Sequence, residues 1–211
     1  MQNTYGDLHQ FSFYNSAIDL TFNQYLLLAD EPILFHTGDI HQAVELVPKL
    51  KKLLGGKPLA YIFISHFEVD ECGGLSLIQD NFPEAKVLCS EVTERQLDGF
   101  GIASKTVVKR PGDLLKTDTY ELEFINYPSE MHLWDGLLVI ERQRGIFFSS
   151  DLMISRGKSI EAMDSSWEDA ILTISPMQIP SPEKLEKLQD ELRALEPSFV
   201  AVGHGSCLKL S

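Results

Sequence analysis

The sequence predicts one α/β domain made of two similar halves. Two runs of short, strand-like apolar segments are each followed by segments with helical spacing, the order in which helices come to cover a sheet. The 211 residues suffice for one continuous core, and 44% hydrophobic with 23% charged residues is the composition of a globular chain. No internal repeat or linker interrupts it, so residues 1–211 are expected to form a single domain.

The elements follow in order. Ile18 to Phe22 and Tyr25 to Leu28 read as strands broken by Asn23-Gln24, and Ile33-Leu34-Phe35 is a third after the Glu31-Pro32 turn. His41 to Leu54 carries Ala43, Val44, Val47, Leu50, Leu53 and Leu54 at helical spacing and is closed by Gly55-Gly56. Leu59 to Ile64 is a continuous apolar run, as in a strand buried on both faces. A short helix (Gly74 to Asp80), a strand (Lys86 to Leu88) and a second short helix (Glu91 to Leu97) complete this half. The next half opens with strands at Val107-Val108, Leu114-Leu115, Tyr120 to Ile125, Leu137 to Ile140 and Ile146 to Phe148. Asp164 to Ile174 and Pro182 to Leu195 read as helices, the latter capped by Ser181, and Phe199 to Val202 is a last strand.

Lys+Arg number 18 against 31 Asp+Glu, a formal net charge of −13. Nucleic acid and anionic membrane are therefore excluded as expected partners, since both are held mainly through Lys and Arg. No apolar run reaches the ~18 residues of a membrane helix, and the N-terminus lacks the basic and apolar regions of a signal peptide. Cys72, Cys89 and Cys207 form no C-x-x-C pair, which fits a reduced, cytoplasmic protein with buried thiols.

Four loops carry metal-binding side chains. Ser65-His66-Phe67-Glu68-Val69-Asp70-Glu71 follows the most apolar strand and puts one imidazole and three carboxylates within six residues. Such crowding calls for cations, because like charges at a buried strand end repel and desolvate at high cost. Alone, this loop also fits a solvated acidic turn with a helix cap at Asp70 or Glu71. Three further strand ends each offer one His or Asp beside small residues: His132, Asp151 and His204. The pooled inventory suits two transition-metal ions with a bridging carboxylate. Zinc favours His and Cys, whereas a mixed imidazole and carboxylate set suits non-haem iron or manganese. A carboxylate-rich shell also tolerates the ferric state, which points to redox or dioxygen chemistry before hydrolysis.

These spacings resemble the metallo-β-lactamase superfamily, and within it the flavodiiron and oxygen-binding di-iron proteins. Hydrolytic members carry H-x-H-x-D-H; here the pattern is His66-x-Glu68-x-Asp70-Glu71, and Glu at the second position marks the di-iron branch. The later ligands match His132, Asp151 after eighteen intervening residues, and His204 in a small-residue turn. The resemblance implies an αββα sandwich. It implies that His66, Glu68 and His132 hold one iron and that Asp70 and His204 hold the other, with Asp151 bridging. Glu71 stands where the family has His; it either ligates as a carboxylate, which is the expectation, or turns away and leaves a water or an open site.

Flavodiiron proteins continue into a flavodoxin-like domain that carries FMN. This chain stops seven residues after His204, so two iron ions and no FMN are expected in it. The resemblance then implies a stand-alone domain that binds O2 or NO as a sensor, or reduces it with a separate electron-donor protein, and a homodimer. A metal-dependent hydrolase acting on an ester, thioester or phosphodiester is the alternative. Phe67, Tyr127 and Trp134 are candidates to wall a small pocket, with ordinary packing the competing reading. Met131 and Met153 read as core gap-fillers and Asp39 as a turn cap. His9, His36 and His41 match no ligand position.

Overall fold

Apolar and β-branched runs form the strands in this computed structural model, which describes residues 2–128, 136–158 and 161–211. The chain divides into two compact units. The first comprises Met1–Phe13, Asn23–Lys109 and Thr117–Thr119; the second comprises Tyr14–Phe22, Arg110–Lys116 and Tyr120–Ser211.

A seven-stranded sheet supplies the strands of the first unit, in sequential order: β1 (Gln2–Tyr5), β2 (Leu8–Asn15), β3 (Leu20–Leu27), β4 (Ile33–Phe35), β5 (Tyr61–Phe63), β6 (Lys86–Cys89) and β7 (Thr106–Val108). The turn end of the β2–β3 hairpin, within Tyr14–Phe22, clusters with the second unit. β3 and β4 are antiparallel, and β4 to β7 run parallel. Parallel neighbours need crossovers, here provided by α1 (Ile40–Leu54), by α2 (Val69–Cys72) with α3 (Leu75–Asn81), and by α4 (Glu91–Gly99). Their buried faces (Leu46 and Leu50 of α1, Leu75 and Ile78 of α3, Leu97 of α4) join Leu34, Ile62 and Val87 in one core.

In the second unit the sheet order is β12-β14-β13-β11-β10-β9-β8. Its strands are β8 (Leu114–Lys116), β9 (Glu121–Tyr127), β10 (Gly136–Glu141), β11 (Ile146–Ser150), β12 (Met163–Ser165), β13 (Phe199–Val202) and β14 (Leu208–Leu210). β8 to β11 form an antiparallel meander, and β13 joins β11 in parallel. α5 (Trp167–Leu172) and α6 (Pro182–Arg193) bury Ala170, Ile171, Leu188 and Leu192 against Phe147, Val200 and Val202.

Two expectations need correction. Asn23-Gln24 does not break a strand: β3 runs through it, because the Asn23 side chain accepts from Gln10 Nε2 (2.9 Å) and Ser12 Oγ (2.8 Å) of β2. The helix expected from Asp164 begins only at Trp167, capped by Ser166, because Met163–Ser165 pairs in parallel with β14. Val69–Cys72 is a helical turn within the acidic loop. Among the described residues no helix is long and apolar enough to cross a membrane.

Candidate metal centre

In the first unit, the acidic loop leaves the C-terminal end of β5. Ser65 Oγ lies 3.0 Å from His66 Nδ1, which sets the ring so that Nε2 faces Glu68 Oε2 at 3.2 Å and Glu71 Oε2 at 3.9 Å. Ionised carboxylates only accept hydrogen bonds, so a ring nitrogen facing two of them needs a proton or a metal ion between. The His66–Glu68 separation lies within the span of one coordination sphere, whose metal–ligand bonds are about 2.1 Å, and Glu71 stands beside that pair. Asp70 and Glu71 place ligand oxygens within 4.8 Å of each other. Glu71 is 1% exposed, and an ionised carboxylate so buried calls for hydrogen-bond donors or positive charge beside it.

Local sequence explains how the loop is held. Glu68 opens α2 with extended backbone angles and makes no side-chain cap, which leaves its carboxylate to face His66. Thr37 N donates to the Glu71 carbonyl (2.8 Å), and Gly74 N donates to the Gly38 carbonyl (2.8 Å). A Cβ on Gly74 would stand 2.4 Å from Ala43 Cβ, so the loop approaches the start of α1 only because this residue is Gly. Asp39 is the N-cap of α1, with a reciprocal Gln42 bond, as its reading as a turn cap expected. Cys72 Sγ donates to the Glu68 carbonyl (3.1 Å), and burial pushes its thiol up to about 12.

In the second unit, parallel pairing of β11 with β13 brings two strand ends together. Asp151 follows β11, His204 follows β13, and Asp151 Oδ1 lies 3.1 Å from His204 Nε2. Both are buried. Ser150 adopts φ +48 and Met153 φ +61, left-handed angles that favour Gly, so the backbone around Asp151 is strained into its turn. Ser149 Oγ closes that turn on the Leu152 carbonyl (2.9 Å), and Gly203 N donates to the Ser150 carbonyl (2.9 Å). The ring of Phe22 meets His204 edge-on with centroids 5.0 Å apart.

The structure thus groups His66, Glu68, Asp70 and Glu71 in one unit and Asp151 with His204 in the other. His132, Met131 and Trp134 lie outside the described residues. Tyr127 and Met153 are buried in the second core; Phe67 packs on the first and against Phe100. His41 is exposed, and His36 stacks on Phe63. Sequence reasoning passed over Ser65, Thr37 and Phe22. Only Ser65 carried a local signal, its place directly before His66. The donor set fits iron: imidazoles mixed with a majority of carboxylates, two of them buried.

The flavodiiron core of Flv1 from Synechocystis sp. PCC6803 superposes on 99% of this chain, with a TM-score of 0.82 at 20% identity, and this chain covers 57% of it. The fold is therefore the metallo-β-lactamase α/β fold of flavodiiron cores. Residues 20–205 match the ODP family beta lactamase, and the chain belongs to that family. It is 29% identical over 139 residues to the Coenzyme F420H2 oxidase of Methanothermobacter marburgensis, covering 62% of this chain and 34% of the relative. With the Nitric oxide reductase of Moorella thermoacetica it is 26% identical over 136 residues, 62% of this chain and 33% of the relative. The match spans about a third of these relatives' length.

Proposed function

We propose that this chain is a non-haem di-iron domain that takes up dioxygen or nitric oxide and reduces it with electrons from a separate donor. The observation that carries the reading is Glu68, a carboxylate facing His66 Nε2 at 3.2 Å where hydrolytic members of the superfamily place a second imidazole. His66, Glu68 and His132 would hold one iron, Asp70, Glu71 and His204 the other, with Asp151 bridging. When bound, a pair of irons supplies reversible one-electron chemistry and a site for a diatomic ligand. Ser65 orients His66, and the Ser149 turn orients Asp151. Relatives named as an oxidase and as a nitric oxide reductase support the redox class. That the family match runs through both compact units supports one functional domain. Three buried thiols agree with a cytoplasmic setting, and a homodimer completes the proposal.

The test is to purify the protein anaerobically, quantify iron and zinc, and record the visible spectrum before and after oxygen and, separately, nitric oxide. About two irons per chain, as a two-metal site requires, and a gas-dependent absorption band are expected. Stoichiometric zinc together with hydrolysis of an activated ester would overturn the reading in favour of a hydrolase.

A further inference from the structure

α2 is four residues long, far too short to hold its own geometry, and its N-cap provides no side-chain bond. The direction in which Glu71 points is therefore fixed from outside the loop. Thr37, just after β4 and fully buried, does this twice over. Its N–H donates to the Glu71 carbonyl at 2.8 Å, and its hydroxyl shares one proton between that oxygen at 3.1 Å and the Gly38 carbonyl at 3.0 Å. The hydroxyl also accepts from Gly74 N at 3.2 Å, so one side chain clasps the loop on both sides of Cys72 and Gly73. The turn that carries Thr37 is itself rigid. Asp39 and Gln42 form a capping box at the start of α1, and Gln24 Nε2 donates to Gln42 Oε1 at 3.2 Å. Tilting the Glu71 peptide would break both contacts to its carbonyl, so the Cα–Cβ direction from which its carboxylate extends is held.

We infer that Thr37 is a positioning residue of the metal centre. By holding the Glu71 carbonyl it commits the Glu71 carboxylate to the second metal, at the position where the family has His. This rests on the di-iron reading proposed above. Orienting groups behind metal ligands are typically worth 10–100-fold in metal affinity, and the Thr37 hydroxyl is expected to contribute on that scale at the second site alone. Glu71 is thus a ligand by virtue of backbone placement, and its side-chain length matters as much as its charge.

The experiment is an anaerobic titration of the metal-free protein with ferrous iron against a chromophoric chelator. Wild type, Thr37→Val, Thr37→Ser, Glu71→Gln and the double variant Thr37→Val/Glu71→Gln are compared, with thermal unfolding of each metal-free protein alongside. The expected result is two sites in wild type and a second site weakened about 10–100-fold in Thr37→Val, with recovery in Thr37→Ser. No further loss is expected when Thr37→Val is added to Glu71→Gln. If wild type takes up no ferrous ion, the di-iron reading fails. If wild type binds two ions and Thr37→Val binds both unchanged, the positioning role alone fails. Glu71→Asp covers the case in which Thr37→Val does not fold. With the clasp intact, a shortened carboxylate held by a fixed backbone loses the second ion as Glu71→Gln does. Full retention of that ion would show a loop free to follow the metal and would overturn the inference.

Discussion

Gly74 and Ala43 meet where the acidic loop crosses the start of α1. A Cβ on Gly74 would lie 2.4 Å from Ala43 Cβ, and Ala43 is wholly buried, so neither residue has room to yield. Gly203 plays the corresponding part beside Ser150, whose carbonyl oxygen would stand 2.6 Å from an added Cβ. Gly74→Ala is expected to cost about 1–3 kcal/mol, the usual penalty of overpacking, measured by urea unfolding of the metal-free protein. Ala43→Gly alone costs about 1 kcal/mol of helix propensity, yet in combination it returns the missing space. The double variant should therefore be more stable than the sum of its parts by at least ~0.5 kcal/mol. Strict additivity would show that the two residues do not contend for the same volume.

α1 was the most legible element, because its signals are local. Buried Ala43, Leu46, Leu50 and Leu54 recur at helical spacing, Asp39 caps one end, and Gly55 ends the other at φ +57. Pro48 runs against these signals. It sits inside the helix on an exposed face, where the Val44 carbonyl loses its usual partner. Pro48→Ala is expected to raise stability by about 2–3 kcal/mol: ~3 kcal/mol from the helix interior, reduced by up to ~1 kcal/mol because the unfolded chain regains freedom. A denaturation midpoint that stays put or falls would mean that the helix is built around its proline. β1 and β2 went unread before Ile18, and two further elements that escaped the sequence reading are short and depend on distant partners. β12 and β14 have three residues each and pair in parallel with one another, 45 positions apart at Met163 and Leu208. No local periodicity encodes such a pairing. The same holds for Asn23, a turn-like residue kept in a strand by its amide contacts with Gln10 and Ser12.

Across the whole chain, the candidate site was legible to the extent that it is contiguous. His66, Glu68, Asp70 and Glu71 stand together in sequence, whereas Asp151 and His204 are separated by 53 positions and meet only through the β11–β13 pairing. What the sequence could not specify was the backing of these side chains, since Thr37 lies 34 positions from the Glu71 carbonyl it holds. The formal charge of −13 ties the site to global stability. Two ferrous ions would bring it to −9, and the buried Glu71 and Asp151 carboxylates gain most from them. At free ferrous iron about 100-fold above the dissociation constant, each occupied site stabilises the native state by ~2.7 kcal/mol, equivalent to roughly 5–10 °C per site for a chain of this size. Calorimetry should therefore show a lower Tm after iron is removed with a chelator, and recovery when ferrous iron is restored. Salt sharpens the test: raising ionic strength from ~0.01 M to ~0.15 M shortens the screening length from about 30 Å to about 8 Å. That relieves self-repulsion more in the −13 form than in the −9 form, so the gap in Tm should narrow. A Tm indifferent to ferrous iron at either salt would separate these carboxylates from any role in holding iron.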